Sequence, residues 1–245
     1  MITKGSPPIE QINARAKMVS LPSGEAAVHF AARHFINCAI AAIREKGLFS
    51  VALSGGSTPA AIYRMLAEEF ASALDWSKVL FFFGDERPVP PDHHDSNYRM
   101  ALESGIEKLA APLQVFRMHA ETDIEVNALA YEHLIKERAG GHFDLIMAGI
   151  GEDGHTLSLF PGSTALGVED RLVVPNYVDK LKTWRMTCTF PLLNSCTHIA
   201  VHVLGEKKRA ILHNLLRGPY KPDLYPAMRI GTNAHPALWI TDLEV

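Results

Sequence analysis

The stretch "LFSVALSGGSTP" (residues 48–59) decides the fold. Its first six residues, 48–53, form a short and continuous apolar run, which is typical of a strand buried on both faces of a sheet. The glycines that follow indicate a tight turn, and Thr58-Pro59 supplies a cap and a first-turn proline for a helix that we expect to end near Phe70. A strand that runs directly into a helix predicts an α/β protein.

The same alternation continues on both sides of this stretch. Residues 25–47 carry apolar side chains at helical spacing, with Ser23 as a candidate cap and Gly47 as a stop. Further strands are predicted at 78–85, 142–151, 186–190, 198–204 and 236–241, and further helices at 125–138 and 206–216. This order predicts a three-layer, Rossmann-like fold with a mostly parallel sheet and helices on both faces. No linker is visible, so we expect one domain over residues 1–245.

Composition narrows the class of protein. The chain has 245 residues, 47% of them hydrophobic, and a formal net charge of -3 without a basic stripe, which argues against nucleic acid or a membrane surface as a partner. Cys38, Cys188 and Cys196 form no C-x-x-C motif and are expected to be buried thiols in a reducing compartment. We see neither a signal peptide nor a run that approaches a membrane span. We therefore expect a cytoplasmic protein, either a monomer or a small homo-oligomer.

Three polar loops each directly follow a predicted strand. They cover residues 54–59, 84–97 and 149–163. In open α/β sheets, ligands bind in the crevice beyond the carboxyl ends of the strands. If the three strands are neighbours, the loops converge on one cleft, and that cleft is the candidate site.

The first loop has the chemistry of a phosphate cradle. Gly55 and Gly56 let the backbone approach an anion, Ser57 and Thr58 offer hydroxyl groups, and the amides of the following helix carry partial positive charge. The same residues also fit a tight turn that needs glycine for backbone reasons alone.

The second loop begins with Asp85-Glu86-Arg87, in which Arg87 could clamp a phosphate or carboxylate. A surface triplet of salt-bridged residues is the alternative. His93 and His94 follow, but adjacent histidines rarely reach one ion from a regular element, so we expect no metal site and assign the pair no role.

The third loop contains "GIGEDGH" (149–155), which matches the G-x-G-x-x-G pattern of dinucleotide sites. Its x-x pair is Glu152-Asp153, and two negative charges there oppose a pyrophosphate. A histidine beside carboxylates at a strand end is instead the arrangement that a general base requires. Proton chemistry at His155 is therefore favoured, while a capping aspartate and an incidental loop histidine remain the alternative.

Four motifs together resemble a known family. "VALSGGSTP", "FFFGDERPVPPDHHDSNYRM", "FDLIMAGIGEDGHTLSLFPGS" and "LGEKKRAIL" match the order and spacing of the 6-phosphogluconolactonases over nearly the whole chain. The resemblance implies hydrolysis of 6-phospho-D-glucono-1,5-lactone in the pentose phosphate pathway, without metal or organic cofactor. One departure is Phe83, where many members carry tryptophan.

The resemblance also implies roles for individual residues. His155 becomes the general base, and Asp85 and Asp153 become carboxylates that orient His155 or the sugar hydroxyls. The phosphate-side and substrate contacts implied by the matching motifs are Ser54, Gly55, Gly56, Ser57, Thr58, Arg87, Arg185 and Lys208.

Two other functions compete with this one. The related glucosamine-6-phosphate deaminases/isomerases carry an acid five positions after the histidine, where this chain has Phe160, and they read "DEY" where this chain has Asp85-Glu86-Arg87. A non-catalytic sugar-phosphate sensor is also conceivable on the same fold, but the chain shows no appended helix-turn-helix segment and retains His155.

Overall fold

Residues 7–244 are described by a computed structural model of the protein. Residues 1–6 and Val245, which the single-domain prediction for 1–245 includes, lie outside the described residues. The strands are β1 (Glu10–Asn13), β2 (Ala16–Ser20), β3 (Phe49–Leu53), β4 (Val79–Phe83), β5 (Asp85–Glu86), β6 (Leu145–Gly149), β7 (Val173–Val178), β8 (Thr183–Cys188), β9 (His198–Val203) and β10 (Ala237–Thr241). The α-helices are α1 (Gly24–Lys46), α2 (Ser57–Glu69), α3 (Asn97–Ala101), α4 (Glu107–Leu109), α5 (Ile124–Ala139), α6 (Phe190–Ser195) and α7 (Arg209–Arg217).

A seven-stranded sheet runs through the described part of the chain in the order β1-β2-β10-β9-β6-β3-β4. Its strands pair in parallel except at the β1 edge, where β1 is antiparallel to β2. Strand β3 lies between β6 and β4, so Val51 pairs with Leu145 on one side and with Phe81 on the other. The predicted mostly parallel α/β fold is confirmed, and the three strands that precede the polar loops are neighbours.

A second, three-stranded sheet has the order β5-β8-β7 and is antiparallel. The strand predicted at 186–190 is β8 (Thr183–Cys188). It was expected in the parallel sheet, but it belongs to this small antiparallel sheet. Asp85 pairs with Thr187, so this small sheet continues directly from the carboxyl end of β4. It forms one wall of the region into which the polar loops project.

Helix α1 begins and ends where the sequence predicts. The Ser23 hydroxyl accepts a hydrogen bond from the Ala26 amide, and Gly47 takes the left-handed conformation (φ 85°) while its amide donates to Ile43. By length and composition alone this helix is apolar enough to cross a membrane, a test that a buried core helix passes as well. Its Ala31, Phe35 and Ala39 are nevertheless buried in the core, as in the core helix of a globular fold.

Helix α2 begins one residue earlier than its predicted cap. Gly56 is the N-cap with φ 108°, and no side chain caps the helix, so Thr58 lies inside the first turn. Glycine is the residue that adopts this conformation without a steric penalty, and it therefore sets the start of the helix. The predicted end near Phe70 is confirmed, because Phe70 is the C-cap.

Candidate active site

The three polar loops meet at the carboxyl ends of β3, β4 and β6. A cavity of about 160 Å³ there is lined by residues from all three loops, among them Ser54, Gly55, Asp85, Arg87, Gly151 and His155. It continues into a cavity of about 430 Å³, whose walls add Asp153, Lys180, Arg185 and Lys208. The structure thus brings together residues that are far apart in the chain, as the strand order predicts.

The imidazole of His155 is held by one carboxylate. Asp153 Oδ1 accepts a hydrogen bond of 2.5 Å from His155 Nδ1, and its Oδ2 accepts one of 2.7 Å from Lys180 Nζ. Partial burial raises the pKa of Asp153, but the hydrogen bonds from Lys180 and His155 outweigh it and lower that pKa to about 2. Asp153 is therefore an anion at neutral pH, and as a hydrogen-bond acceptor it favours the tautomer of His155 that carries its proton on Nδ1.

The face of the imidazole packs against an aromatic ring. The ring centroids of His155 and Phe160 lie 3.9 Å apart with an interplanar angle of 20°. Phe160 is buried, and it occupies the position five residues after the histidine. The stacking fixes the ring plane, while the bond from Asp153 fixes the rotation of the ring within that plane.

The glycines of "GIGEDGH" are explained by this histidine and its loop. A Cβ atom on Gly151 would lie 2.1 Å from His155 Nδ1, and one on Gly154, which has φ 75°, would lie 2.7 Å from the Tyr225 ring. Residues 150–163 form turns, and no helix begins in this segment of the described chain. A dinucleotide fingerprint needs such a helix to face the pyrophosphate, so the structure contradicts that interpretation of the motif.

Asp85 is held by a different set of partners. Its Oδ2 accepts a hydrogen bond of 2.6 Å from Ser158 Oγ, and its Oδ1 accepts one of 3.2 Å from Asn97 Nδ2. Asp85 is buried and lines both cavities. Of the two carboxylates that sequence reasoning proposed as partners of His155, Asp153 makes the contact and Asp85 does not.

The triplet Asp85-Glu86-Arg87 is not a surface salt-bridge cluster. The buried carboxylate of Glu86 accepts hydrogen bonds of 2.8 Å from the amides of Asn97 and Tyr98 and therefore anchors the start of α3. Burial raises the pKa of Glu86. This contact closes the loop 84–97 on itself and fixes Arg87 at the cavity.

Three predicted cations and one that sequence reasoning missed line the larger cavity. Lys208 Nζ donates a hydrogen bond of 2.9 Å to Ile150 O, and Arg87 Nη1 donates one of 2.5 Å to Asp95 O. Arg87 and Arg185 line the same cavity, and burial together with the neighbouring charge of Arg87 lowers the pKa of Arg185. The four cations of this cavity exceed its three carboxylates, Asp85, Glu152 and Asp153, and guanidinium groups that share one space are a feature of anion sites. Lys180 belongs to this set too, but nothing in the motif pattern singles it out.

The structure divides the glycine-rich loop 54–58. Ser54 and Gly55 line the cavity with His155, whereas Ser57 and Thr58 line a different cavity of about 440 Å³ beside the start of α1. Gly56 lines neither of these cavities. Among the described residues, the buried Ser54 Oγ has no hydrogen-bond partner. A Cβ atom on Gly55 would lie 1.9 Å from Asn97 Oδ1, so this glycine leaves the space that the Asn97 side chain occupies.

His93, His94 and Asp95 lie in a turn next to Arg87. Their ligand atoms are within 4.8 Å of one another, and the two rings are 4.2 Å apart. Adjacent histidines rarely reach one ion from a regular element, but these two lie in a turn, where their ligand atoms come close together. His94 and Asp95 are exposed, whereas His93 is half-buried.

The comparisons with known proteins agree with this geometry. Residues 22–239 match the family described as glucosamine-6-phosphate isomerases/6-phosphogluconolactonase. The chain is 40% identical over 231 residues to 6-phosphogluconolactonase of Chlamydia muridarum, covering 94% of this chain and 89% of that protein. It is 38% identical over 211 residues to 6-phosphogluconolactonase of Synechocystis sp., covering 83% and 85%.

Solved structures show the same fold. The 6-phosphogluconolactonase from Trypanosoma cruzi superposes with a TM-score of 0.83 and 28% sequence identity, covering 94% of this chain and 95% of that chain. A family match over most of the chain, relatives near 40% identity and a shared fold all lead to one assignment. The chain belongs to the glucosamine-6-phosphate isomerase/6-phosphogluconolactonase family.

Proposed function

We propose that this protein hydrolyses 6-phospho-D-glucono-1,5-lactone to 6-phospho-D-gluconate, the second step of the oxidative pentose phosphate pathway. It is then a carboxylic ester hydrolase. The observation that carries the proposal is a histidine held by an aspartate, at 2.5 Å, in a cavity with cationic walls. The relatives named 6-phosphogluconolactonase support it, because they match over most of their own length.

The chemistry needs one base. A lactone is an activated ester, so a water molecule can attack its carbonyl carbon without a nucleophilic serine, and the sequence contains no G-x-S-x-G elbow. His155 Nε2 takes a proton from that water, and the hydroxide adds to C1. When the bond between C1 and the ring oxygen breaks, the imidazolium returns the proton to the ring oxygen. His155 is then neutral again, and the product is an open-chain acid.

The carboxylates have separate tasks in this scheme. Asp153 holds Nδ1 and so keeps Nε2 directed at the water, while its negative charge stabilises the transient imidazolium. Asp85, fixed by Ser158 and Asn97, presents a carboxylate to the hydroxyl groups of the sugar. No step needs a metal or an organic cofactor.

The phosphate end of the substrate lies against the cations. Arg87, Arg185 and Lys208 supply the charge, and Ser54 and Gly55 complete the wall on the β3 side. Binding energy from this remote group positions C1 at the base and can lower the barrier there. Gly56, Ser57 and Thr58 at the start of α2 remain proposed contacts on this side, and Ser57 and Thr58 also line a separate cavity of about 440 Å³.

A second candidate, the deaminase/isomerase activity of the same family, has less support. Phe160 stacks on His155 at the position where those enzymes carry an acid. A non-catalytic sensor would have no use for an imidazole locked by an ionised aspartate. The geometry favours hydrolysis over both.

The wider setting of the enzyme is also part of the proposal. We expect a single domain, because one hydrophobic cluster extends from Ala16 to Leu243 in the described chain. We expect a cytoplasmic monomer or small homo-oligomer, consistent with three buried free cysteines. The expected partner is a small sugar phosphate. We expect neither nucleic acid nor a membrane as a partner.

The test is a substrate comparison at neutral pH with a chelator present. Purified protein receives the phospholactone or glucosamine 6-phosphate, and a reaction without enzyme corrects for spontaneous lactone hydrolysis. We expect acid release from the lactone, and a His155→Ala variant should lose about 100-fold or more of the turnover. Ammonia release from the amino sugar, or binding of either compound without turnover, would overturn the proposal.

A further inference from the structure

Lys180 lies beyond the aspartate that holds the catalytic histidine. It is in the hairpin between β7 and β8, 27 residues from Asp153 in the chain, and its Nζ donates to Asp153 Oδ2 at 2.7 Å. The other oxygen of the same carboxylate bonds to His155 Nδ1 at 2.5 Å. A lysine, an aspartate and a histidine thus form one chain of contacts that ends at the reacting atoms.

The geometry points to Lys180 as a positioning residue for the proposed hydrolysis: by binding the second oxygen of Asp153, it fixes the carboxylate that orients His155. This inference rests on the proposed function for its kinetic consequences. The ring orientation itself does not depend on the substrate.

The physical reason lies in the freedom of a carboxylate group. The terminal torsion of an aspartate side chain is broad and roughly two-fold, so hydrogen bonds to Oδ1 alone do not fix the plane of the carboxylate. A second bond, from an ammonium group on the opposite oxygen, removes that freedom. The backbone amide of His155 also donates to Oδ1, at 3.3 Å. Oδ1 is therefore bound by His155 and Oδ2 by Lys180.

Lys180 also forms part of the partition between two cavities. It lines the substrate cavity with His155, and it lines a neighbouring cavity of about 350 Å³ together with Asp153 and Phe160. The two residues that hold the imidazole, Asp153 at its edge and Phe160 on its face, are therefore walls of that second cavity. Without the lysine, Asp153 could rotate towards it.

The test compares Lys180→Met and Lys180→Arg with a matched control, Lys182→Met. Lys182 lies in the same hairpin, is largely exposed and pairs with Asp179 at 3.7 Å. We expect Lys180→Met to lower kcat about tenfold with little change in KM, a part of the 10²–10⁴ that a general base contributes. Lys180→Arg should restore most of the rate, and Lys182→Met should behave as the wild type.

Nitrogen NMR of the histidine rings supplies a readout without substrate. The wild-type protein should show His155 as the tautomer protonated at Nδ1, and Lys180→Met should show a mixture. A raised KM with unchanged kcat would make Lys180 a substrate contact only and overturn the inference. Unchanged kinetics and tautomer would also overturn it. If the wild type does not hydrolyse the lactone, the proposed function fails, while the tautomer comparison still decides the positioning role.

Discussion

Replacing Gly151 by alanine tests whether the imidazole lies where the structure places it. The new Cβ atom would lie 2.1 Å from His155 Nδ1, 2.2 Å from Cε1 and 2.7 Å from Asp153 Oδ1. Non-bonded heavy atoms pack at about 3.5 Å or more. The ring must therefore move by about 1.4 Å, and the bond that Asp153 makes to Nδ1 cannot survive that displacement unchanged.

The size of the effect follows from this distance. A misplacement of about 1 Å at a reacting group costs on the order of 100-fold in rate, which corresponds to about 2.7 kcal/mol of barrier. Gly151 does not have a positive φ, so alanine can adopt its backbone conformation without strain there. We therefore expect kcat/KM to fall about 100-fold while the melting temperature changes little.

The assay follows acid release from the phospholactone, with spontaneous hydrolysis subtracted, together with thermal unfolding of each variant. Gly167→Ala is the matched control, because a Cβ atom at Gly167 would meet nothing within 4 Å and its φ is not positive. A folded Gly151→Ala variant with wild-type kcat/KM would refute the placement of the ring or its role. An equal loss in Gly167→Ala would show that the assay reports something other than the histidine.

Two further predictions concern charge. Lys208→Ala should raise KM severalfold with a smaller change in kcat, because a phosphate contact binds the ground state and the transition state alike. If inorganic phosphate competes equally well with the substrate in the wild type and in the variant, this prediction is wrong. Burial raises the pKa of Glu132, but hydrogen bonds from Lys136, Arg171 and the Leu172 amide lower it to about 2. The stability supplied by Glu132 should be complete above pH 4.5, its ordinary pKa, and lost as the pH falls towards 2. Urea unfolding of Glu132→Gln should therefore differ from the wild type at pH 6 and converge with it near pH 2, and a pH-independent difference would contradict the assignment.

Local signals in the sequence predict the elements that carry the site. Ser23 and Gly47 bracket α1, and the three apolar runs that become β3, β4 and β6 each end at a glycine or polar loop. The cap of α2 was misplaced because Gly56 satisfies the turn by conformation, with no side-chain hydrogen bond for a sequence pattern to display. These features depend on neighbouring residues, which a single sequence contains.

Pairing between distant residues is what the sequence does not display. The strand predicted at 186–190 was placed in the parallel sheet because strands and helices alternate along the chain, but as β8 it pairs with β5 and β7. Lys180 was missed for a related reason. The segment "VDKLKT" has the composition of a solvated hairpin, and only the fold brings its lysine to Asp153. A contact across 27 residues has no local signature.

The environment of His155 bears on why one fold serves two kinds of reaction. Isomerisation of a sugar phosphate moves protons between two carbon atoms and requires more than one proton carrier near the ring. Lactone hydrolysis requires a single base that takes a proton from water and returns it to the ring oxygen. Here the face of the imidazole is covered by Phe160 at 3.9 Å, and the nearby carboxylate of Asp85 is engaged by Ser158 and Asn97. We propose that His155, with Asp153 behind it, is the proton carrier that acts on the substrate, and one carrier is enough for hydrolysis.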